Sequence, residues 1–214
     1  MSNGGPVADT IIAVLCGGHS RRMGGRAKAT LAFADTTVLD RVLTSTAGLD
    51  LPRILVRAHE RVVEDPELDA QLTATGLPLT RDRHEDSGPL AGLDAAFAAT
   101  EARRILLLAC DLPFLTPVFL AWLLEQGRRE SSVVPIDRKR RLHPLCAVYD
   151  KSCREELGLS LDTRRLRLQD FVRTIGARQL SPDSWSGFDP DERLLTNLNE
   201  PADYEAAQAM VRKR

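Results

Sequence analysis

Two short apolar runs constrain the possible folds of this 214-residue chain more than any other feature. They span residues 11–15 and 105–109, and neither alternates between apolar and polar side chains. A continuous apolar run of this length predicts a strand that is buried on both faces. Helical spacing follows the first run, at residues 38–49. The order predicts an α/β fold of three layers, with a mostly parallel sheet between two layers of helices.

The rest of the chain continues this alternation, and its length suits a single domain. The pattern predicts further strands at 54–56, 133–136 and 145–149, and further helices at 89–99, at 117–126 and from Pro201 onwards. Residues 1–10 are polar and contain glycine and proline. We therefore predict a flexible N-terminal segment over 1–10 and one folded domain over 11–214.

The composition excludes several classes of function. Lys and Arg number 29 against 30 Asp and Glu, so the chain has no excess positive charge with which to coat nucleic acid. Aromatic residues make up 5%, too few for stacking on single-stranded nucleic acid. No apolar stretch is long enough to span a membrane. The four cysteines form no C-x-x-C pair, and we expect reduced thiols in a cytoplasmic protein.

A glycine-rich, basic segment follows the first predicted strand. Residues 15–28 read LCGGHSRRMGGRAK, with four glycines, three arginines and one lysine. Glycines let backbone N–H groups approach phosphate oxygens, while cations such as Arg22 and Lys28 neutralise the phosphate charge. A flexible basic loop on the surface is the alternative. Ligands of parallel sheets bind where the strands end, so the position of the segment favours phosphate binding.

Two acidic residues are placed to act at the same edge of the sheet. Asp111 follows the second apolar run, and a carboxylate there suits Mg²⁺, which binds through one or two carboxylates and substrate phosphates. A helix N-cap is the alternative for Asp111, but Thr116 suits that role better. We therefore expect Asp111 to be an unpaired acid near the surface. Asp82 is a second strand-end acid, for which an ordinary solvated carboxylate is an equal alternative.

Two weaker features lie further along the chain. The basic turn 138–141, which includes Arg140 and Arg141, is followed by His143 and offers a place for an anionic substrate. A solvated hairpin tip is the alternative. Asn197 and Asn199 precede Pro201, a pattern that is typical of a turn and cap at the start of a helix.

Together these motifs resemble the molybdenum cofactor guanylyltransferases. The similarity rests on Leu15-Cys16-Gly17-Gly18-x-Ser20-x-Arg22-Met23-Gly24 with Lys28, on Asp82, on Gly88-Pro89-Leu90-Ala91-Gly92, on Cys110-Asp111-x-Pro113, on His143-Pro144 and on Asn197-x-Asn199-x-Pro201. The resemblance implies a single Rossmann-like nucleotidyltransferase domain. It also implies transfer of GMP from GTP, with Mg²⁺, to the phosphate of molybdenum-molybdopterin, with release of pyrophosphate. Proteins that deliver the cofactor, and molybdoenzymes that accept it, are then candidate partners.

The resemblance further implies roles for individual residues. The nucleotide-binding residues are Leu15, Cys16, Gly17, Gly18, Lys28, Asp82 and Asp111. In this set Lys28 matches the triphosphate-binding lysine, Asp82 a guanosine-contacting acid and Asp111 the magnesium ligand. We assign catalysis to Arg22, Lys28 and Asp111, because together with the metal they neutralise the triphosphate and the departing pyrophosphate. We assign acceptor binding to Arg140, Arg141, His143, Asn197 and Asn199.

The sequence departs from the family pattern at three positions. Cys16 replaces the usual alanine, Ala27 replaces an acid before the lysine, and Arg57 stands where an asparagine commonly contacts the nucleotide. Gly17 and Gly18 follow the guanylyl pattern and not that of the sister group that transfers CMP. The alternatives are a cytidylyl- or other nucleotidyltransferase acting on a different phosphorylated acceptor, and a non-catalytic nucleotide-binding protein of the same fold.

Overall fold

The computed structural model describes residues 8–17, 27–59 and 65–212, in which seven strands form one sheet and two short strands form a hairpin beside it. The strands are β1 (Thr10–Cys16), β2 (Ala32–Phe33), β3 (Thr36–Thr37), β4 (Arg53–Arg57), β5 (Leu79–Arg81), β6 (Arg104–Ala109), β7 (Val133–Pro135), β8 (Cys146–Asp150) and β9 (Arg178–Leu180). The helices are α1 (Val38–Ala47), α2 (Pro66–Ala74), α3 (Gly88–Ala98), α4 (Pro117–Arg129), α5 (Arg154–Asp162), α6 (Leu168–Thr174) and α7 (Pro201–Arg212).

The sheet is mostly parallel, as predicted. Its strand order is β5-β4-β1-β6-β8-β7-β9, and β8 alone among these strands runs antiparallel to its neighbours. Leu15 near the end of β1 pairs with Val56 of β4 and with Ala109 of β6. The last residues of β1, β4, β5 and β6 therefore lie along one edge of the sheet, which we call the carboxyl edge.

Apolar side chains cover both faces of the sheet, which confirms the three-layer α/β fold. Ile12 and Val14 of β1 belong to a cluster with residues of α1, α2 and α4. Ile11 and Ala13 belong to a second cluster, with residues of α3, α5 and α6. Because successive side chains of a strand point to opposite faces, the continuous apolar run packs against both layers of helices.

A third, smaller cluster attaches the C-terminal helix to the sheet. Its buried members are Leu31, Phe33, Val38, Phe114, Leu198 and Ala207. Beside this cluster, Tyr204 and Gln208 of α7 both donate hydrogen bonds to the carbonyl of Ala32 in the hairpin. The cluster thereby holds the segment before α7 near the end of β6, because Phe114 and Leu198 are among its members.

Each strand and helix predicted from the sequence is present within three residues of its predicted bounds. Of the predicted flexible segment 1–10, residues 1–7 lie outside the described residues, and β1 already begins at Thr10. The elements β5, β9, α2, α5, α6 and the β2–β3 hairpin have no counterpart in the prediction. None of the helices described above combines the length and the apolar character that crossing a membrane requires.

Helix α4 packs against β8 so closely that Gly127 has no room for a side chain. A Cβ atom at Gly127 would lie 2.6 Å from Cγ1 and 2.8 Å from Cβ of Val148. We expect Gly127→Ala to lower the free energy of unfolding by about 1–3 kcal/mol, which is typical of an overpacked core. Urea unfolding of both proteins measures the difference.

Gly158→Ala is the matched control for this substitution. Gly158 also lies inside a helix, but nothing lies within 4 Å of a Cβ atom placed there. Alanine is the better helix former by roughly 0.5–1 kcal/mol, so this variant should be as stable as the wild type or more so. Gly127→Ala at wild-type stability would contradict the close packing of α4 on β8.

A buried carboxylate holds the opposite edge of the sheet. Asp150, at the end of β8, accepts hydrogen bonds from Nε of Arg103 at 2.9 Å and from the N–H of Ser152 at 3.0 Å. Burial raises the pKa of Asp150, but the Ser152 bonds and the Arg103 guanidinium outweigh it and lower the pKa below its ordinary 3.8. The carboxylate form therefore stabilises the fold above the ordinary value, and this stabilisation is lost as the pH falls through the lowered value.

We expect Asp150→Asn to lower the free energy of unfolding by about 1–3 kcal/mol at pH 7, because charge-assisted hydrogen bonds to a buried group are lost. The difference from the wild type should be constant above about pH 5 and should shrink below pH 4, where the wild type protonates Asp150 in the unfolded chain. Urea unfolding at several pH values tests this, with the exposed Asp183→Asn as control. A difference independent of pH down to pH 2 would contradict it.

Candidate active site

Asp111 lies at the carboxyl edge, two residues beyond the end of β6, and its carboxylate is held on both oxygens. Oδ2 accepts a hydrogen bond from Nζ of Lys28 at 2.9 Å, and Oδ1 accepts one from Nδ2 of Asn197 at 3.0 Å. The residue is buried. The expectation of an unpaired acid near the surface is therefore wrong. The sequence suggested it because both partners lie more than eighty residues away along the chain.

Lys28 is placed by a short 3₁₀ turn over Lys28–Thr30. The next residue, Ala29, is buried in the core and anchors this turn. Besides its contact with Asp111, the Lys28 ammonium donates a hydrogen bond of 2.6 Å to Oδ1 of Asn199. The Lys28 side chain is 21% exposed, so its charge remains accessible at the carboxyl edge.

The segment Asn197-Leu198-Asn199 completes the group. Leu198 is fully buried in the third cluster, and its N–H donates to the carbonyl of Asp111 at 3.2 Å. With Leu198 turned into the core, the asparagines on either side bond Asp111 and Lys28. Asp203 of α7 accepts from the N–H of Asn199 at 3.0 Å. We call Lys28, Asp111, Asn197 and Asn199 the Lys28–Asp111 cluster.

The start of the glycine-rich segment lies directly beside this cluster. The N–H of Cys110 donates to the carbonyl of Leu15 at 3.1 Å, which joins the ends of β1 and β6. A Cβ atom at Gly17 would lie 2.7 Å from both Cβ and the backbone N of Ala58, so only glycine fits this approach to the end of β4. Gly18 and Arg22, which the sequence analysis assigned to the nucleotide and to catalysis, lie outside the described residues.

Cys16 serves as a small apolar residue here. Its side chain is buried, and a hydrogen bond with Cys110 together with burial raises the pKa of the Cys16 thiol well above its ordinary value. A protonated, buried thiol takes the place of the alanine that the family pattern usually has, without adding a charge.

Helix α3 approaches the same edge through Gly92. A Cβ atom at Gly92 would lie 2.8 Å from Cδ2 of Leu15, so the glycine lets the helix rest on the end of β1. Gly88, at the start of α3, has a φ of +59°, a value that glycine adopts readily. The Gly-Pro-Leu-Ala-Gly motif thus has a physical explanation: one glycine for the turn and one for the close packing.

Asp82 follows β5 at the carboxyl edge and is buried. Among the described residues, its Oδ1 atom has no hydrogen-bond partner. Burial raises the pKa of Asp82, while the nearby His59 and His84 act in the opposite direction. A buried acceptor without a partner costs free energy, and a ligand that supplies an N–H donor would recover it.

Arg57, the departure from the family pattern, is turned towards α2. Its side chain is 3% exposed, and Nε lies 3.1 Å from Oδ1 of Asp69. Arg81 of β5 lies 3.9 Å from the same carboxylate oxygen. Asp69 therefore pairs with the Nε side of the Arg57 guanidinium. Sequence reasoning could not identify Asp69, because a single half-buried acid on a helix has no distinctive pattern.

The basic turn forms a group of its own around Asp137. Asp137 accepts from the N–H and from Nε of Arg141 at 2.8 and 2.7 Å, and Nε2 of His143 lies 3.5 Å from Oδ2 of Asp137. Burial lowers the pKa of His143, against the opposing charge of Asp137. Arg140 is exposed with a φ of +59°. No hydrogen bond or ion pair between described residues joins this turn to the Lys28–Asp111 cluster.

The Lys28–Asp111 cluster suits a hard cation. The atoms available to bind a metal are the carboxylate oxygens of Asp111. Each of them accepts only one of the hydrogen bonds given above and keeps a lone pair. No group of three His, Cys, Asp or Glu side chains is close enough to hold a metal within the described residues. A single carboxylate whose oxygens keep lone pairs is compatible with Mg²⁺, which is commonly held by one or two carboxylates and completed by water and substrate phosphates.

Comparison with known proteins agrees with this geometry. Residues 12–179 match the family model of the MobA-like NTP transferase domain. The chain is 32% identical to a protein of Cereibacter sphaeroides named molybdenum cofactor guanylyltransferase, over 94% of this chain and 96% of that protein. It is also 32% identical to a protein of the same name from Mesorhizobium japonicum, over 92% and 94%.

A solved structure has the same fold. It is that of molybdopterin-guanine dinucleotide biosynthesis protein A from Archaeoglobus fulgidus, with a TM-score of 0.79 and 22% identity, over 95% of this chain and 99% of that one. The family match covers β1 from Ile12 onwards and the whole of β6, and the ends of these strands carry Gly17 and Asp111. The chain belongs to the MobA-like NTP transferase domain family and is a nucleotidyltransferase of that family.

Proposed function

We propose that this protein transfers GMP from GTP to the phosphate of molybdenum-molybdopterin, with release of pyrophosphate. The observation that carries the proposal is the Lys28–Asp111 cluster, which sets a cation and a buried carboxylate 2.9 Å apart at the carboxyl edge. The names of the relatives from Cereibacter sphaeroides and Mesorhizobium japonicum support guanylyl transfer to the molybdenum cofactor.

Charge neutralisation is the main task of such a site. Two phosphate groups must approach each other, and each is anionic. Lys28 would bind the triphosphate, and Asn199 orients its ammonium through the 2.6 Å hydrogen bond. Asp111 would hold Mg²⁺, which when bound neutralises phosphate charge and orients phosphate oxygens. Asn197 fixes the Asp111 carboxylate for this role, and Arg22 of the glycine-rich segment would add a second cation.

The reaction needs no strong general base. A phosphate monoester has a second pKa of about 6, so the attacking phosphate is largely dianionic at neutral pH. The protein then accelerates transfer chiefly by holding the donor and the acceptor in line and by stabilising the departing pyrophosphate. His143 is not required as a base in this scheme, and its lowered pKa makes it a neutral group at pH 7.

Asp82 is our candidate for recognition of guanine. Its buried Oδ1 is an acceptor without a partner among the described residues. Guanine presents two adjacent donors, the ring N1–H and the 2-amino group, to which a carboxylate can bind with both oxygens. Adenine and the pyrimidines lack this pair of donors on one edge. The family resemblance, which implies that Asp82 contacts the guanosine, agrees with this chemistry.

The basic turn is our candidate for the acceptor side. Asp137 already compensates Arg141 and faces the neutral His143, so Arg140 is the acceptor-binding candidate of this turn with the most accessible charge for an anionic phosphate. We keep Asn197 and Asn199 as acceptor-binding candidates, which would act beside Asp111 and Lys28, the two residues that their side-chain amides contact.

A nucleotide panel tests the proposal. With Mg²⁺, GTP should raise the melting temperature more than CTP, ATP or UTP, because a ligand that binds the native state stabilises it by mass action. Addition of molybdenum-molybdopterin should then release pyrophosphate. A larger shift with CTP would favour a cytidylyltransferase, and nucleotide binding without metal-dependent pyrophosphate release would favour a non-catalytic protein.

We expect Asp111→Asn to lower metal-dependent turnover at least about 100-fold, equivalent to about 2.7 kcal/mol of transition-state stabilisation. The amide has the shape of the carboxylate but lacks its charge and one of its two acceptors, so the fold should persist with a free energy of unfolding lower by about 1–3 kcal/mol. Steady-state pyrophosphate release measures the rate, and Asp162→Asn, an exposed acid at the end of α5, is the control. Retained Mg²⁺-dependent turnover in Asp111→Asn would place the metal elsewhere.

We expect Asp82→Asn to weaken GTP binding about 10- to 100-fold, as for a lost charge-assisted hydrogen bond, and to leave ATP binding unchanged. The variant should fold at least as well, since burial raises the pKa of Asp82 and so disfavours its charged form. Asp86→Asn is the matched control, because Asp86 is exposed in the same loop and its φ of +51° suits asparagine. Equal affinities for GTP in the two variants would remove Asp82 from base recognition.

A further inference from the structure

The turn between α5 and α6 contacts the loop that carries Asp82. Nη1 of Arg164 donates hydrogen bonds to the carbonyl of Glu85 at 3.3 Å and to Oγ of Ser87 at 3.2 Å. These partners are 79 and 77 residues away along the chain. The contact therefore ties a distant turn to residues 82–88, which we call the base loop.

The base loop has an unusual backbone that needs support. Asp86 has a φ of +51° and Gly88 a φ of +59°, so two residues between β5 and the start of α3 have left-handed backbone conformations. Ser87, between them, is buried, and its hydroxyl donates to the carbonyl of Glu85 at 3.0 Å. Arg164 donates hydrogen bonds to both partners in this contact, the Glu85 carbonyl and the Ser87 hydroxyl, and so stabilises the turn from a different part of the fold.

A second tether joins the loop to α3 only. Arg83 and His84 lie 3.4 and 3.3 Å from Oδ2 of Asp94, which is on the helix that the loop itself leads into. Such local contacts move with the helix. Arg164 instead connects the loop to the end of α5, which packs on the sheet through Leu157 and Leu161.

Arg164 itself occupies a strained backbone position. Its φ is +57°, in the left-handed region that residues other than glycine and asparagine rarely adopt. Glycine would meet the backbone requirement without strain, so the backbone alone does not explain an arginine there. The two hydrogen bonds to the base loop give the side chain a role that offsets the strain.

We propose that Arg164 is a positioning residue for the nucleotide base: it holds the base loop in the conformation that presents the Asp82 carboxylate to the nucleotide. This inference rests on the proposed function, in which Asp82 contacts guanine. Arg164 acts through the loop and touches no reacting atom, so it sets the affinity for GTP and leaves the chemical step unchanged.

Arg164→Gly separates this role from stability. Glycine relieves the left-handed strain, so the melting temperature should equal or exceed that of the wild type. Amide hydrogen exchange at residues 83–88 should accelerate, because the loop loses the two hydrogen bonds that Arg164 donates to it. The KM for GTP should rise about five- to tenfold, as expected for lost hydrogen bonds, while kcat stays within about twofold.

Two further variants sharpen the test. Arg165→Ala is the matched control, because the Arg165 guanidinium bonds Glu156 and Thr163 in its own segment; it should have wild-type exchange and KM. Arg164→Lys keeps a donor without the fork of the guanidinium, and it should give a KM between those of the wild type and Arg164→Gly.

The outcomes distinguish this inference from the proposed function. Unchanged exchange at 83–88 in Arg164→Gly overturns the inference, as does a KM for GTP equal to that of Arg165→Ala. A fall in kcat equal to the rise in KM also overturns it, because Arg164 would then act on the chemical step. If the wild-type protein binds no GTP, the proposed function is contradicted. In that case hydrogen exchange alone tests whether Arg164 supports the base loop.

Discussion

The contact between Lys28 and Asp111 is the interaction on which the rest of the site depends. It joins residues 83 positions apart, and the hydrogen bond from Lys28 to Asn199 spans 171 positions. Three segments that are remote in sequence therefore meet around one carboxylate. Lys28 and Asn197 both donate hydrogen bonds to Asp111, so this buried carboxylate is held in one orientation without the cost of an unpartnered charge.

Apolar packing makes this meeting possible. The two large clusters fix the ends of β1 and β6 side by side, and the third cluster docks α7 and Leu198 against the same edge. Hydrogen bonds alone contribute little net free energy, since they replace bonds to water. Burial of Leu198 therefore supplies the attachment, while Asn197 and Asn199 supply the orientation of the two charged groups.

Much of the fold could be predicted because the strongest elements have strong patterns. The runs at β1 and β6 are continuously apolar, and Thr116-Pro117 starts α4 as an N-cap followed by proline. The short edge strands could not be predicted. In β5 all three residues are exposed or half-buried, so the apolar signal is absent. Helix α2 has only two buried residues, Leu68 and Leu72, too few for a clear helical period.

Local sequence patterns specify which segments form the central strands. They therefore also place the glycine-rich segment and Asp111 at the carboxyl edge, because parallel neighbours end on the same side. Tertiary packing specifies which side chains meet at that edge. The pairing of Asp111 with Lys28 and Asn197, the binding of Arg57 by Asp69 and the contact of Arg164 with Glu85 each join remote segments. Such contacts depend on how helices dock on the sheet, and docking follows from the packing of the whole core and not from any local pattern.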